Sequence, residues 1–84
     1  MSTNDQLDEQ FQAILQSSRF HKISGPFVFQ VCEPWAYRAE VTFFVVRGQR
    51  MIVDIVSALD PIRPIAVRKL KQKVVDRFPD ILQQ

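Results

Sequence analysis

The chain has 84 residues, so we expect one domain over residues 1–84, with residues 1–4 and 80–84 frayed at its ends. This length excludes doubly wound sheets and β/α barrels, and 46% hydrophobic with 24% charged residues is a globular composition. A single cysteine, Cys32, and a single histidine, His21, exclude an intrachain disulfide and the ligand sets of zinc sites. Gly25 and Gly48 are the only glycines, and their spacing fits neither the GxGxxG nor the GxxxxGK(S/T) phosphate-binding motif. We therefore expect neither a cofactor nor a metal.

The first elements are predicted from the spacing of apolar residues. Between Leu7 and Leu15 they recur every three or four residues, which predicts an amphipathic helix over residues 5–17. Three strand-like runs follow, over residues 27–32, from 35 or 37 to 46, and over 50–56. The connections, at Glu33-Pro34 and around Gly48, are short and favour antiparallel neighbours.

A second helix is predicted to begin at Asp60 or at Pro64 and to end near Arg77. Aspartate followed by proline is typical of a helix start, whereas Pro64 disfavours the helical conformation in the residue before it. The order α-β-β-β-α predicts an α+β fold, a single small domain in which a three-stranded antiparallel meander packs with two helices.

Both faces of the predicted sheet carry apolar residues, since the second strand places Phe43 on one face and Phe44 on the other. Either one helix covers each face, or both helices cover one face and a partner covers the other. The second arrangement predicts a self-association surface, because small domains often complete their cores by forming two-fold dimers. Its proposed centre is Val41, Phe43, Val45 and Ile52.

The net charge of +2 conceals an acidic beginning and a basic end of the chain. Lys69, Lys73 and Arg77 are four residues apart and form one row along the predicted second helix. Such a row either is the solvated face of a helix or binds phosphates. The candidate nucleic-acid contacts are Arg47, Arg50, Arg68, Lys69, Lys73 and Arg77.

The predicted element order resembles that of double-stranded RNA-binding domains, whose second helix opens with lysines near the phosphates. Those domains carry a glycine-rich segment and a lysine pair at the entry to that helix. Residues 57–64 of this chain contain neither glycine nor lysine. The resemblance is therefore one of topology and rough charge, which does not assign the family.

No pattern in the sequence predicts catalysis. Nothing in the spacing brings Cys32, His21 and Glu33 together as a thiol triad, and Glu40 and Asp54 belong to no acid–base motif.

We expect a non-enzymatic protein–protein interaction or regulatory module, acting as a homodimer or with a protein partner, with nucleic-acid binding as the alternative. The polar N-terminus, the lone thiol and the lack of an apolar run near the ~20 residues of a membrane span predict a cytoplasmic protein with no membrane partner.

Overall fold

The computed structural model describes residues 3–32 and 35–83, and for Thr3 and Asn4 it describes the backbone alone. The elements are α1 (Thr3–Leu15), β1 (Lys22–Val31), β2 (Ala36–Arg47), β3 (Arg50–Asp60), α2 (Arg63–Arg77) and α3 (Pro79–Leu82). The strands form one antiparallel sheet in the order β1-β2-β3. The α+β class and the meander are confirmed. The connection predicted at Glu33-Pro34 lies outside the described residues.

Two of the strands are longer than their hydrophobic runs. β1 begins at Lys22, which pairs with Phe44, and β3 continues to Asp60, which pairs with Tyr37. Both extensions pair with the long central strand, whose backbone groups would otherwise lack partners. The β2–β3 connection is a two-residue turn in which Gly48 has φ +63°, a conformation that costs glycine little.

An irregularity in β1 changes which of its residues share a face. Ser24 pairs with Thr42 and Phe27 with Glu40, so β1 holds one residue more than β2 between these pairs. Gly25 lies there with φ +105°, and a Cβ on it would stand 3.0 Å from the Glu40 carbonyl oxygen. The extra residue puts Phe27 on the same sheet face as Ser24, despite the odd spacing between them.

Both long helices lie on one face of the sheet. α2 packs over β2 and β3, whereas α1 packs mainly against α2 and α3. The Cα positions span 41 × 35 × 15 Å, and the shortest dimension holds one sheet layer and one helix layer. The core between the layers centres on Phe43, whose ring lies 4.7 Å from that of Phe20 and 5.0 Å from that of Phe78, centroid to centroid.

The face expected to meet a partner is the face that the helices cover. Val41 and Phe43 are fully buried, and Val45 is half-buried against the core. Ile52 shares this face but remains exposed near the β2–β3 turn. A surface centred on Val41 and Phe43 is therefore wrong, because α1 and α2 exclude any partner from these side chains.

α2 ends at Arg77 as predicted, whereas its start differs from the prediction. The helix begins at Arg63 with Pro64 in its first turn, so the later of the two predicted starts is the closer. The Asp60 carboxylate instead accepts the Ile62 N–H at 2.8 Å and shapes the turn before the helix.

The last described residues are folded, although the sequence predicts fraying over residues 80–84. They form α3, in which Ile81 is buried against the core. Arg19 lies 2.6 Å from Asp80, and its hydrogen bond lowers the pKa of that carboxyl. Gln84, like residues 1 and 2, lies outside the described residues.

We predict that Phe43→Ala lowers the free energy of unfolding by about 3–5 kcal/mol, because it leaves a cavity where three rings meet. Phe43→Leu fills most of that volume and should cost much less. Chemical denaturation followed by circular dichroism measures both. A Phe43→Ala cost below about 1 kcal/mol would contradict the packing described here.

Candidate interaction surface

The sheet face opposite the helices, called the uncovered face below, carries apolar side chains from all three strands. The pairing register places Phe27 beside Glu40 on this face and Val53 beside Phe44. No described element packs against it. Besides Val31 and Ala36, which pair at the end remote from the β2–β3 turn, its apolar members are Phe27, Phe29, Phe44, Val46, Met51, Val53, Ile55 and Leu59.

The apolar area on this face is large for a small domain. Seven of these side chains are 39–58% exposed, and Phe44 is half-buried. Together the seven leave on the order of 600 Å² accessible, at the upper end of the roughly 300–600 Å² of the largest apolar patch on a typical monomer. A patch of this size marks a contact surface more often than a solvent-facing one.

Two opposite charges lie within the uncovered face, on the central strand. Arg38 is exposed and Glu40 is half-buried. Neither side chain forms a hydrogen bond or an ion pair with another residue in the described part of the chain. Whatever covers the face must supply partners for both, because a buried charge without a partner is costly.

The sequence of β2 carries a signal that distinguishes the two faces of the sheet. From residue 37 to residue 45, the odd positions of β2 hold no charged residue. The even positions include the charged residues Arg38 and Glu40 and the polar residue Thr42. The face with charged members is the one without helices. Comparing the two sets would have placed Val41 and Phe43 in the core.

The basic row formed by Lys69, Lys73 and Arg77 runs along β3 and contacts it at three points. Each cation already has an oxygen partner within the chain, so it fixes α2 to the strand. Lys69 Nζ lies 2.8 Å from Asp60 Oδ1, Lys73 Nζ 2.9 Å from the Ser57 carbonyl oxygen, and Arg77 Nε 2.6 Å from Asp54 Oδ2.

Two of these contacts shift the pKa of a participating group. The Lys69 hydrogen bond, with a smaller contribution from the Ile62 N–H, lowers the pKa of Asp60 below its ordinary value. The hydrogen bond to Asp54 raises the pKa of Arg77. Binding a phosphate at this row would require the cations to leave these carboxylates or to share them.

The other predicted nucleic-acid contacts lie elsewhere on the molecule. Arg47 and Arg50 pair across the end of the β2–β3 hairpin and are exposed. Arg68 lines an open groove of about 610 Å³ between α1 and the start of α2. The six predicted residues therefore occupy three separate regions and do not form one basic surface.

The residues considered for catalysis are not brought together. Glu40 lies on the uncovered face, whereas Asp54 lies on the helix-covered face, where it pairs with Phe43 in the register. Cys32 is exposed, and Glu33 lies outside the described residues.

Within residues 3–32 and 35–83, no three His, Cys, Asp or Glu side chains are grouped as metal ligands. No helix in this part of the chain has the length and apolarity to cross a membrane.

No family model matches the chain, and no curated protein or solved structure is significantly similar to it. The interpretation of function therefore depends on the chemistry of the surfaces described above.

We predict that Asp60→Asn flattens the acid limb of the stability profile. The pKa of Asp60 is lowered from 3.8, so its ion pair stabilises the fold above about pH 4, and this contribution disappears as the pH falls through the lowered pKa. Asparagine keeps an oxygen for the Ile62 N–H but loses the charge that pairs with Lys69. The measurement is the free energy of unfolding at several values between about pH 7 and about pH 2.

The control for this experiment is Glu9→Gln, which removes a carboxylate from the exposed face of α1. It should leave the acid limb close to that of the wild type. An Asp60→Asn profile as steep as the wild-type profile would show that the Lys69 pair does not stabilise the fold.

Proposed function

We propose that this chain is a non-enzymatic protein–protein interaction module that self-associates through its uncovered face. The observation that supports the proposal is the cluster of exposed apolar side chains on all three strands. Burying this cluster removes apolar surface from water, which is the main favourable term in most protein association.

The size of the uncovered face suits a protein contact. A standard interface buries about 800 Å² on each partner, close to the apolar area of this face together with its polar margin. A domain of this length also buries only about 60–65% of the surface that its unfolded chain exposes, so an added partner stabilises it appreciably.

The uncovered face is less suited to nucleic acid. Its cations are Lys22 and Arg38, and Glu40 lies beside Arg38. Binding to phosphate chains depends on several cations along one surface, and the basic row on α2 is already held by β3. The proposed contact therefore lies on the surface against which no element of the described chain packs.

We predict that Ile55→Asp converts the associated protein to a folded monomer. Ile55 is 58% exposed on the uncovered face, so aspartate is tolerated in the monomer, but burying it in an interface weakens association by roughly a hundredfold. Sedimentation velocity over a range of concentrations gives the mass, and circular dichroism checks the fold.

The matched control is Ile62→Asp. Ile62 is 54% exposed in the connection before α2, away from the uncovered face. This variant should associate like the wild type. A wild-type protein that stays monomeric at all concentrations would contradict self-association. A second pair of results would also contradict it. In these, the wild type comigrates with a short RNA or DNA pool and loses this comigration as the salt concentration rises, and Ile55→Asp has the same mass as the wild type.

A further inference from the structure

The charges on the uncovered face restrict how two copies can meet, given the self-association proposed above. Arg38 and Glu40 are on the same face of β2, about 7 Å apart along the strand. Neither has a partner among the described residues, and apolar side chains of β1 and β3 flank them. A second copy must therefore supply an anion to Arg38 and a cation to Glu40.

A two-fold axis parallel to the strands and one that crosses them at right angles both stack identical sheets face to face. An axis parallel to the strands and over β2 places each residue of that strand opposite itself, so Arg38 would meet Arg38. An axis shifted sideways places β2 over a neighbouring strand, where the residues level with Arg38 are Phe29 and Leu59. Neither position pairs opposite charges.

An axis that crosses the strands reverses one central strand relative to the other. When this axis is level with Ala39, Arg38 of one copy lies opposite Glu40 of the other, and symmetry forms the pair twice. We propose that two copies pack in this way, with their β2 strands antiparallel and two reciprocal Arg38–Glu40 ion pairs at the centre of the interface.

The same axis brings apolar groups together around the ion pairs. Phe27 is level with Glu40 and Phe29 with Arg38, so Phe27 of one copy lies opposite Phe29 of the other. On β3, Leu59 is level with Arg38 and Ser57 with Glu40, so Leu59 of one copy lies opposite Ser57 of the other. Flanking aromatic side chains exclude water, and charged hydrogen bonds are stronger where water is excluded.

The proposed axis also sets how far the two sheets overlap. Thr42 of one copy lies opposite Ala36 of the other, and Ala36 is the first residue of β2. The strands therefore overlap from the level of Ala36 to that of Thr42. The hairpin end of each sheet, with Phe44 and Val53, extends beyond the strands of the other copy.

A charge exchange tests the pairing. Arg38→Glu alone and Glu40→Arg alone each create like-charge contacts and should weaken dimerisation roughly tenfold or more. The double variant Arg38→Glu/Glu40→Arg restores opposite charges and should return the dissociation constant to within about threefold of the wild type. Arg47→Glu is the matched control, because it makes the same charge change on β2 at an exposed position outside the uncovered face.

A distance measurement on the wild-type sequence tests the axis without a substitution. The single Cys32 is exposed and follows β1, one residue beyond the pair Val31–Ala36. A spin label on it should give a distance of about 30 Å between copies for the crossing axis, against about 15 Å for an axis along the strands. The labelled protein is first checked for an unchanged sedimentation profile.

The outcomes separate this proposal from the one on which it depends. Rescue by the double variant together with a distance near 30 Å supports the crossing axis. A dimer sensitive to Ile55→Asp that gives a distance near 15 Å, or that the double variant fails to rescue, overturns the arrangement and leaves self-association standing. A wild-type chain that remains monomeric overturns both.

Discussion

The helices of this domain cover only one face of its sheet, and the composition of the surface depends on this constraint. The second long helix is fixed along β3 by three cations and packs through Leu70 and Val74. The first helix packs against the second instead of crossing to the other side. The chain therefore builds one two-layer core around Phe43, and the apolar side chains on the other face of the same strands remain exposed.

Because the helices leave one sheet face uncovered, the same strands that form the core also determine the chemistry of the surface. A sheet covered on one face usually shows polar residues on its other face. Here the other face holds aromatic and β-branched residues from all three strands, with Arg38 and Glu40 among them. Apolar side chains favour a covering partner, and the two charges restrict which partner fits. In the proposed dimer, a second copy meets both conditions with its central strand running in the opposite direction.

Much of the fold is predictable from the sequence because its signals are local. The helical spacing from Leu7 to Leu15, the alternation in β2 and the turn at Gly48 each depend on neighbouring residues. The long extents of β1 and β3 are not predictable from local runs, because pairing with β2, a non-local contact, stabilises them. The extra residue beside Gly25 reverses the alternation of β1, and no local pattern predicts that reversal. The apolarity of Val41 and Phe43 does not by itself identify the core face, which depends on the charged residues that alternate with them.

The central claim is that the uncovered face is buried between copies in solution. Its most direct test is an isotope-filtered NOE experiment on a mixture of ¹³C-labelled and unlabelled protein, which detects contacts between copies alone. The account predicts intermolecular contacts from the Ile55 and Leu59 methyl groups and from the rings of Phe27 and Phe29. Intermolecular contacts confined to α1 and α2, in a sample whose mass is that of a dimer, would contradict it.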